Sequence, residues 1–213
     1  MKKNVLITLM IMSGISMACM GGQNKDEKKG AKEFKVLTEQ FGDAKILRYQ
    51  VPGFEELSLN QKELIYYLSQ AALCGRDITY DQNYKYNLLI RKTLEAVYSD
   101  YSGDRKAPEF LKFTEYLKKV WFNNGIHHHY STDKFFPEFS QQYFAGLLKG
   151  IKPELLPLAA KQTVAQFIPE ITPLIFDPKI APKRVNQVKG EDLVTTSACN
   201  FYDGVSQAEA EAF

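Results

Sequence analysis

Every histidine of the chain sits in one string, His127-His128-His129. On an extended backbone alternate side chains share a face, so His127 and His129 could supply two metal ligands. A tetrahedral site needs more, and here Asp133 is the nearest oxygen donor and no cysteine stands at ligand spacing. That ligand count favours a solvated loop over a metal centre. Cys74 and Cys199 are candidate thiol nucleophiles, yet each lies in an apolar stretch, where a cysteine more often packs as a small core residue. The carboxylate pairs Glu55-Glu56 and Glu191-Asp192 flank turns and read as solvated ends. No His-Glu-x-x-His, Gly-x-Ser-x-Gly, phosphate-cradling glycine loop or dinucleotide fingerprint occurs.

The elements that would position these groups can be read from periodicity and punctuation. Ala44 to Val51 is rich in β-formers and stops at Pro52-Gly53, which predicts a strand and a turn. Ser58-Leu59-Asn60-Gln61 is a capping box, and Leu64, Tyr67, Leu68, Ala71 and Ala72 follow at helical spacing. Cys74-Gly75 should close that helix with a left-handed cap. A second helix is predicted from about Tyr84 to Tyr98, with Leu89, Ile90, Leu94, Val97 and Tyr98 inward. A third starts at Pro108, buries Leu111, Tyr116, Leu117, Val120 and Trp121, and ends at Asn123-Asn124-Gly125. Ser140 to Lys149 reads as a fourth, and Pro153 to Ile175 as short pieces broken by Pro157, Pro169 and Pro173. Asp192 to Cys199 has the β-branched pattern of a strand. A last capping box, Ser206-Gln207-Ala208-Glu209, opens a helix only seven residues before Phe213. So short a helix scarcely forms alone, which suggests the front of a longer chain.

The chain begins as an export signal. Lys2 and Lys3 precede a nearly uncharged apolar run, Val5 to Ala18, that ends in Ser16-Met17-Ala18-Cys19. A spanning helix needs about 20 apolar residues, so this run is short for a membrane anchor. Residues 1–18 are therefore expected to be a signal peptide, and the Cys19 that follows resembles the acylated cysteine of a bacterial lipobox. Serine stands at the −3 position where leucine is usual. Residues 19–33 are rich in glycine and charge and read as a flexible tether, with the folded part starting near Phe34. The chain has 213 residues, 45% of them hydrophobic and 24% charged, an ordinary globular composition. Its 27 basic residues fall to 25, equal to the acidic ones, once Lys2 and Lys3 are removed. A neutral chain without a basic stripe is not expected to bind nucleic acid.

Three strings carry a resemblance to a known family. They are Lys45-Ile46-Leu47-Arg48-Tyr49-Gln50-Val51-Pro52-Gly53-Phe54; Asn123-Asn124-Gly125 followed by Tyr130 and Asp133-Lys134-Phe135-Phe136-Pro137; and Ser197-Ala198-Cys199-Asn200-Phe201-Tyr202-Asp203-Gly204-Val205-Ser206. Residues 34–213 resemble the N-terminal portion of dipeptidyl-peptidase III, zinc exopeptidases that release dipeptides from peptide N-termini. The resemblance implies an α+β fold, with helices around part of a β-barrel-type lower lobe that faces a helical, zinc-holding upper lobe across a cleft. The family's zinc motifs, His-Glu-x-x-Gly-His and Glu-Glu-x-Arg-Ala-Glu/Asp, are both missing between Met1 and Phe213. Zinc therefore belongs to the full-length family, no metal is expected on this chain alone, and the chain alone should be inactive.

Tyr130 stands where the family has an aromatic residue of a substrate subsite. The resemblance therefore gives it a substrate-binding role, the alternative being that it packs the loop. His127 to His129 are not family zinc ligands. The expected partners are peptide substrates and, through Cys19, a bacterial membrane on its periplasmic or cell-surface side. A second reading, outside catalysis, is a lipoprotein that binds extended peptides along a sheet edge.

Overall fold

The computed structural model describes residues 34–213. The expected signal peptide 1–18, the tether 19–33 and the lipidation site Cys19 lie outside the described residues. Two short strands come first, β1 (Leu37–Phe41) and β2 (Ala44–Leu47), joined through Gly42 and Asp43 into an antiparallel hairpin. β2 stops four residues earlier than the composition predicts. Among the described residues it has only β1 to pair with, and the last bond of the ladder runs from the Arg48 amide to the Val36 carbonyl at 2.7 Å.

Among the described residues eight α-helices follow: α1 (Leu59–Cys74), α2 (Arg76–Asn83), α3 (Asn87–Asp100), α4 (Pro108–Asn123), α5 (Gln141–Gly150), α6 (Val164–Phe176), α7 (Leu193–Thr196) and α8 (Gln207–Ala212). The protein is thus α+β, a small hairpin among helices. None of the described helices is long and apolar enough to cross a membrane.

The core lies on α3 to α6. Ile90, Leu94 and Val97 on α3 meet Phe110, Phe113, Leu117 and Val120 on α4, all essentially inaccessible to solvent. Phe139 joins the two halves, packing its ring against Phe113, Tyr116, Phe144 and Phe176. The hairpin rests on α4 through Phe41 against Phe122 and the ion pair of Glu39 with Lys118.

Several expectations need correction. The capping box at Ser58 forms, but Leu64, Tyr67, Leu68, Ala71 and Ala72 face solvent and α1 has no buried residue. Helical spacing marks a helix here without marking a core, because α1 is apolar nearly all round. Gly75 keeps right-handed angles (φ −79°, ψ −3°), so the chain runs directly into α2 instead of turning away. Leu111 is exposed, since Phe110 and Phe113 take the buried stripe one residue out of phase with it.

α6 runs unbroken through Pro169 and Pro173 behind a Thr163 capping box. Pro169 sits on the exposed side, whereas Phe167, Ile171 and Ile175 bury the other face completely or nearly so. Burial of each such side chain contributes about 1.5–3 kcal/mol, enough to offset the missing amide donors.

The strand expected over Asp192 to Cys199 is the helical turn α7. Asp192 Oδ1 accepts from the amides of Val194 and Thr195, and the Thr196 hydroxyl donates to the Asp192 carbonyl at 2.6 Å. These local bonds outcompete extension where no neighbouring strand offers a ladder. Asp192 is therefore a cap and not a free solvated end. Its Oδ2 also accepts from the amide of Gln207, the first residue of α8. Glu191 likewise is engaged, with Asn186.

Candidate functional site in the 126–136 loop

The loop after α4 contains both the histidine string and Tyr130. Asn124 ends the helix in the left-handed region (φ 51°), and Gly125 continues at φ 142°. From there the chain is fixed by Asn87 at the start of α3, which is fully buried. The Asn87 side chain donates to the Tyr80 carbonyl at 3.1 Å, and its Oδ1 accepts from the Ile126 amide at 3.2 Å. A tight turn follows, closed by the His128 amide to the Asp133 carbonyl at 2.8 Å and the Thr132 amide to the His128 carbonyl at 3.0 Å. The far side is pinned to 182–184, with the Lys134 amide on the Pro182 carbonyl and the Arg184 amide on the Thr132 carbonyl.

This turn sends the three imidazoles to three different partners. His127 is buried. One of its ring nitrogens, Nε2, lies 2.8 Å from the Ala181 carbonyl and must carry the hydrogen that bond requires. Nδ1 is then a lone pair without a partner, shielded from water. Burial pushes the His127 pKa down to about 4, with the Ala181 bond opposing and the Lys134 and Arg184 charges adding to the fall. His127 is a neutral packing group.

His128 accepts at Nδ1 from the amides of Tyr130 and Ser131, so Nε2–H donates to Asp43 Oδ2 at 3.0 Å. Asp43 is held below its ordinary value, first by a backbone hydrogen bond and then by His128. His129 donates from Nδ1 to Asn123 Oδ1 at 2.8 Å, which leaves its Nε2 outward.

The extended arrangement that would put His127 and His129 on one face does not occur, because the chain turns where extension was expected. Asp133 pairs with Lys183 at 3.2 Å. Among the described residues no three His, Cys, Asp or Glu side chains are grouped to hold a metal.

What the loop presents outward is an aromatic platform. The Tyr130 ring is 85% exposed, its centroid 4.5 Å from that of His129, which in turn lies 4.6 Å from His128. Tyr130 does not pack the loop from inside. The loop packs beneath it, and the ring faces solvent.

Cys74 is exposed and Cys199 half-buried, and neither forms a disulfide. Burial raises the Cys199 thiol above its ordinary pKa, with Arg184 opposing, the reverse of what a nucleophile needs.

Three supporting residues had escaped the sequence reading: Asn87, Asn123 and Lys134. Lys134 is buried and donates through Nζ to the carbonyls of Asp177 at 2.7 Å and Ile180 at 3.0 Å. Burial brings its pKa down to about 8, against the pull of Asp177. A lysine between Asp133 and two phenylalanines was the available sign, since a cation in an apolar string needs an oxygen partner.

Compared with known proteins, the chain matches no protein-family model and no curated protein.

Proposed function

We propose that this chain is the N-terminal part of a zinc-dependent exopeptidase similar to dipeptidyl-peptidase III, exported and held at a bacterial membrane through Cys19. In this reading residues 34–213 are the first part of a lower lobe, and the β-barrel-type core and the zinc lobe come from further chain. The observation that carries it is the braced, 85% exposed Tyr130 ring, since a subsite aromatic must be held rigid and open before substrate arrives. A second support is α1, whose Leu64, Tyr67 and Leu68 are each more than half exposed. A helix that is apolar nearly all round is one that other chain covers.

The residues present do not fit zinc. Among the described residues no three His, Cys, Asp or Glu side chains are grouped to hold one, so no metal-dependent step is assigned to this chain, and in this reading it is inactive by itself. Its own contribution is to hold peptide substrates.

A second reading is a non-catalytic lipoprotein that takes extended peptides by strand addition. It is favoured by the hairpin, which no further strand flanks among the described residues.

Intact mass and zinc content of the protein from its native membrane fraction separate the two. A mass several times 24.3 kDa with one zinc per chain supports the exopeptidase. A lipid-modified, metal-free product of about 22 kDa, the mass left after leader removal, overturns it in favour of the second reading.

A further inference from the structure

A groove of about 690 Å³ opens between α5 and the loop that follows α3, away from the residues discussed so far. Its floor is apolar, formed by Leu147 and Ile151. One wall is Tyr101, whose ring stacks on Phe110 at 4.0 Å and whose carbonyl accepts from Arg105 at 3.1 Å, so that wall is fixed before any ligand arrives. Glu109, in the first turn of α4, is the one charged residue among the lining groups. Its Oε1 takes the Lys112 ammonium at 2.8 Å, and no bond is made at Oε2. The Tyr143 side chain also belongs to the lining, its hydroxyl shielded from solvent beside the Tyr101 side chain. Burial raises the Tyr143 pKa to about 12, with the Tyr101 side chain, by hydrogen bonding and charge, and the Glu109 carboxylate adding to the rise.

We propose that this groove binds a primary alkylammonium group on an aliphatic stem, of the kind that ends a lysine side chain. The stem lies on Leu147 and Ile151, and the ammonium donates to Glu109 Oε2 at the mouth of the groove. An anion is excluded by Glu109. A wholly apolar ligand would cover Glu109 Oε2 without giving it a donor, which burial penalises. The groove is open because residue 146 is glycine: a Cβ there would meet nothing within 4 Å. Gly146 lies inside α5, where any ordinary side chain favours the helix more than glycine does. Gly146→Leu therefore blocks the groove without straining the fold.

The test is titration of the full chain, followed by amide chemical shifts, with Nα-acetyl-lysine N-methylamide, its norleucine counterpart, and cadaverine. The lysine compound should shift the amides of Tyr101, Tyr143, Leu147 and Ile151 and bind at least five-fold more tightly than the norleucine one. Glu109→Gln should weaken it at least five-fold, and Gly146→Leu should abolish the shifts while keeping or raising the unfolding midpoint. Tighter binding of cadaverine than of the lysine compound assigns the site to free diamines, and the reverse assigns it to peptide side chains. Equal binding of the norleucine compound, or shifts that map elsewhere, overturns the proposal.

Discussion

The side-chain amide of Asn87 fills the space that a side chain on residue 125 would need: a Cβ built on Gly125 would lie 2.1 Å from Asn87 Nδ2. Helix α3 and the loop after α4 are thus interlocked at two positions 38 residues apart, and the backbone at Gly125 (φ 142°) adds a second reason for glycine. Gly125→Ala should lower stability by about 3 kcal/mol, in the range of strained or overpacked sites. Asn87→Ala should cost about 2 kcal/mol by leaving the buried Ile126 amide unpaired. The double variant should cost less than the sum, because the smaller residue 87 makes room for the Cβ. Urea unfolding followed by Trp121 fluorescence measures all three, and strict additivity would refute the interlock.

Tyr130 makes the opposite prediction for stability. Its ring is exposed, so Tyr130→Ala should change the unfolding free energy by less than about 0.5 kcal/mol. In the zinc-bearing full-length enzyme the same change should raise KM for dipeptidyl substrates a few-fold, as loss of one aromatic contact would. An unchanged KM would remove Tyr130 from the substrate site.

Acid should weaken the fold through His127. The folded pKa of about 4 lies below the ordinary value near 6.5, so between these limits the unfolded chain binds a proton that the folded chain refuses. Stability therefore rises with pH across this window. The contribution is complete above about 6.5, falls away as pH drops towards 4, and amounts to about 3 kcal/mol. Urea midpoints at pH 7.5, 6, 5 and 4.5 test it, and His127→Gln should flatten most of the slope. A slope that survives that substitution would place the titration elsewhere.

The exposed face of α1 predicts association. Leu68→Lys with Leu64→Glu should leave the unfolding midpoint of the monomer within about 0.5 kcal/mol, the usual range for surface changes. The same pair should shift sedimentation towards the monomer by shrinking the apolar patch. A loss of several kcal/mol would mean that these side chains are covered in solution.

Local chemistry was the legible part of the fold. The capping boxes at Ser58 and Ser206, Pro108 at the start of α4 and the Asn-Asn-Gly stop after it all form as read, because each is settled within four residues. What could not be read depended on distant partners. Nothing in the Asp192 to Cys199 string says that no strand waits beside it, and nothing in α1 says that its apolar residues stay uncovered. Pro169 and Pro173 stay helical for a similar reason, since burial of Phe167, Ile171 and Ile175 is decided by α5. In the loop after α4 the histidine string and Tyr130 could be singled out from the sequence, whereas the bracing of that loop by Asn87 at Ile126 and by Asn123 at His129 could not. A buried asparagine carries no mark in a sequence until the carbonyls and amides around it are known.

One carboxylate starts both of the last two helices, Oδ1 serving α7 and Oδ2 the first amide of α8, and Gln207 returns the tie through Oε1 to the Leu193 amide at 2.8 Å. Neither helix buries a residue of its own. The two turns are coupled through Asp192 and Gln207, while the stretch between them is tied to the body separately by the amides of Ala198, Cys199 and Asn200 on the carbonyls of Lys183, Arg184 and Gln82. The amides of α7 and α8 should exchange with free energies below that of the core, and Asp192→Ala, which removes their shared cap, should lower the protection of both turns.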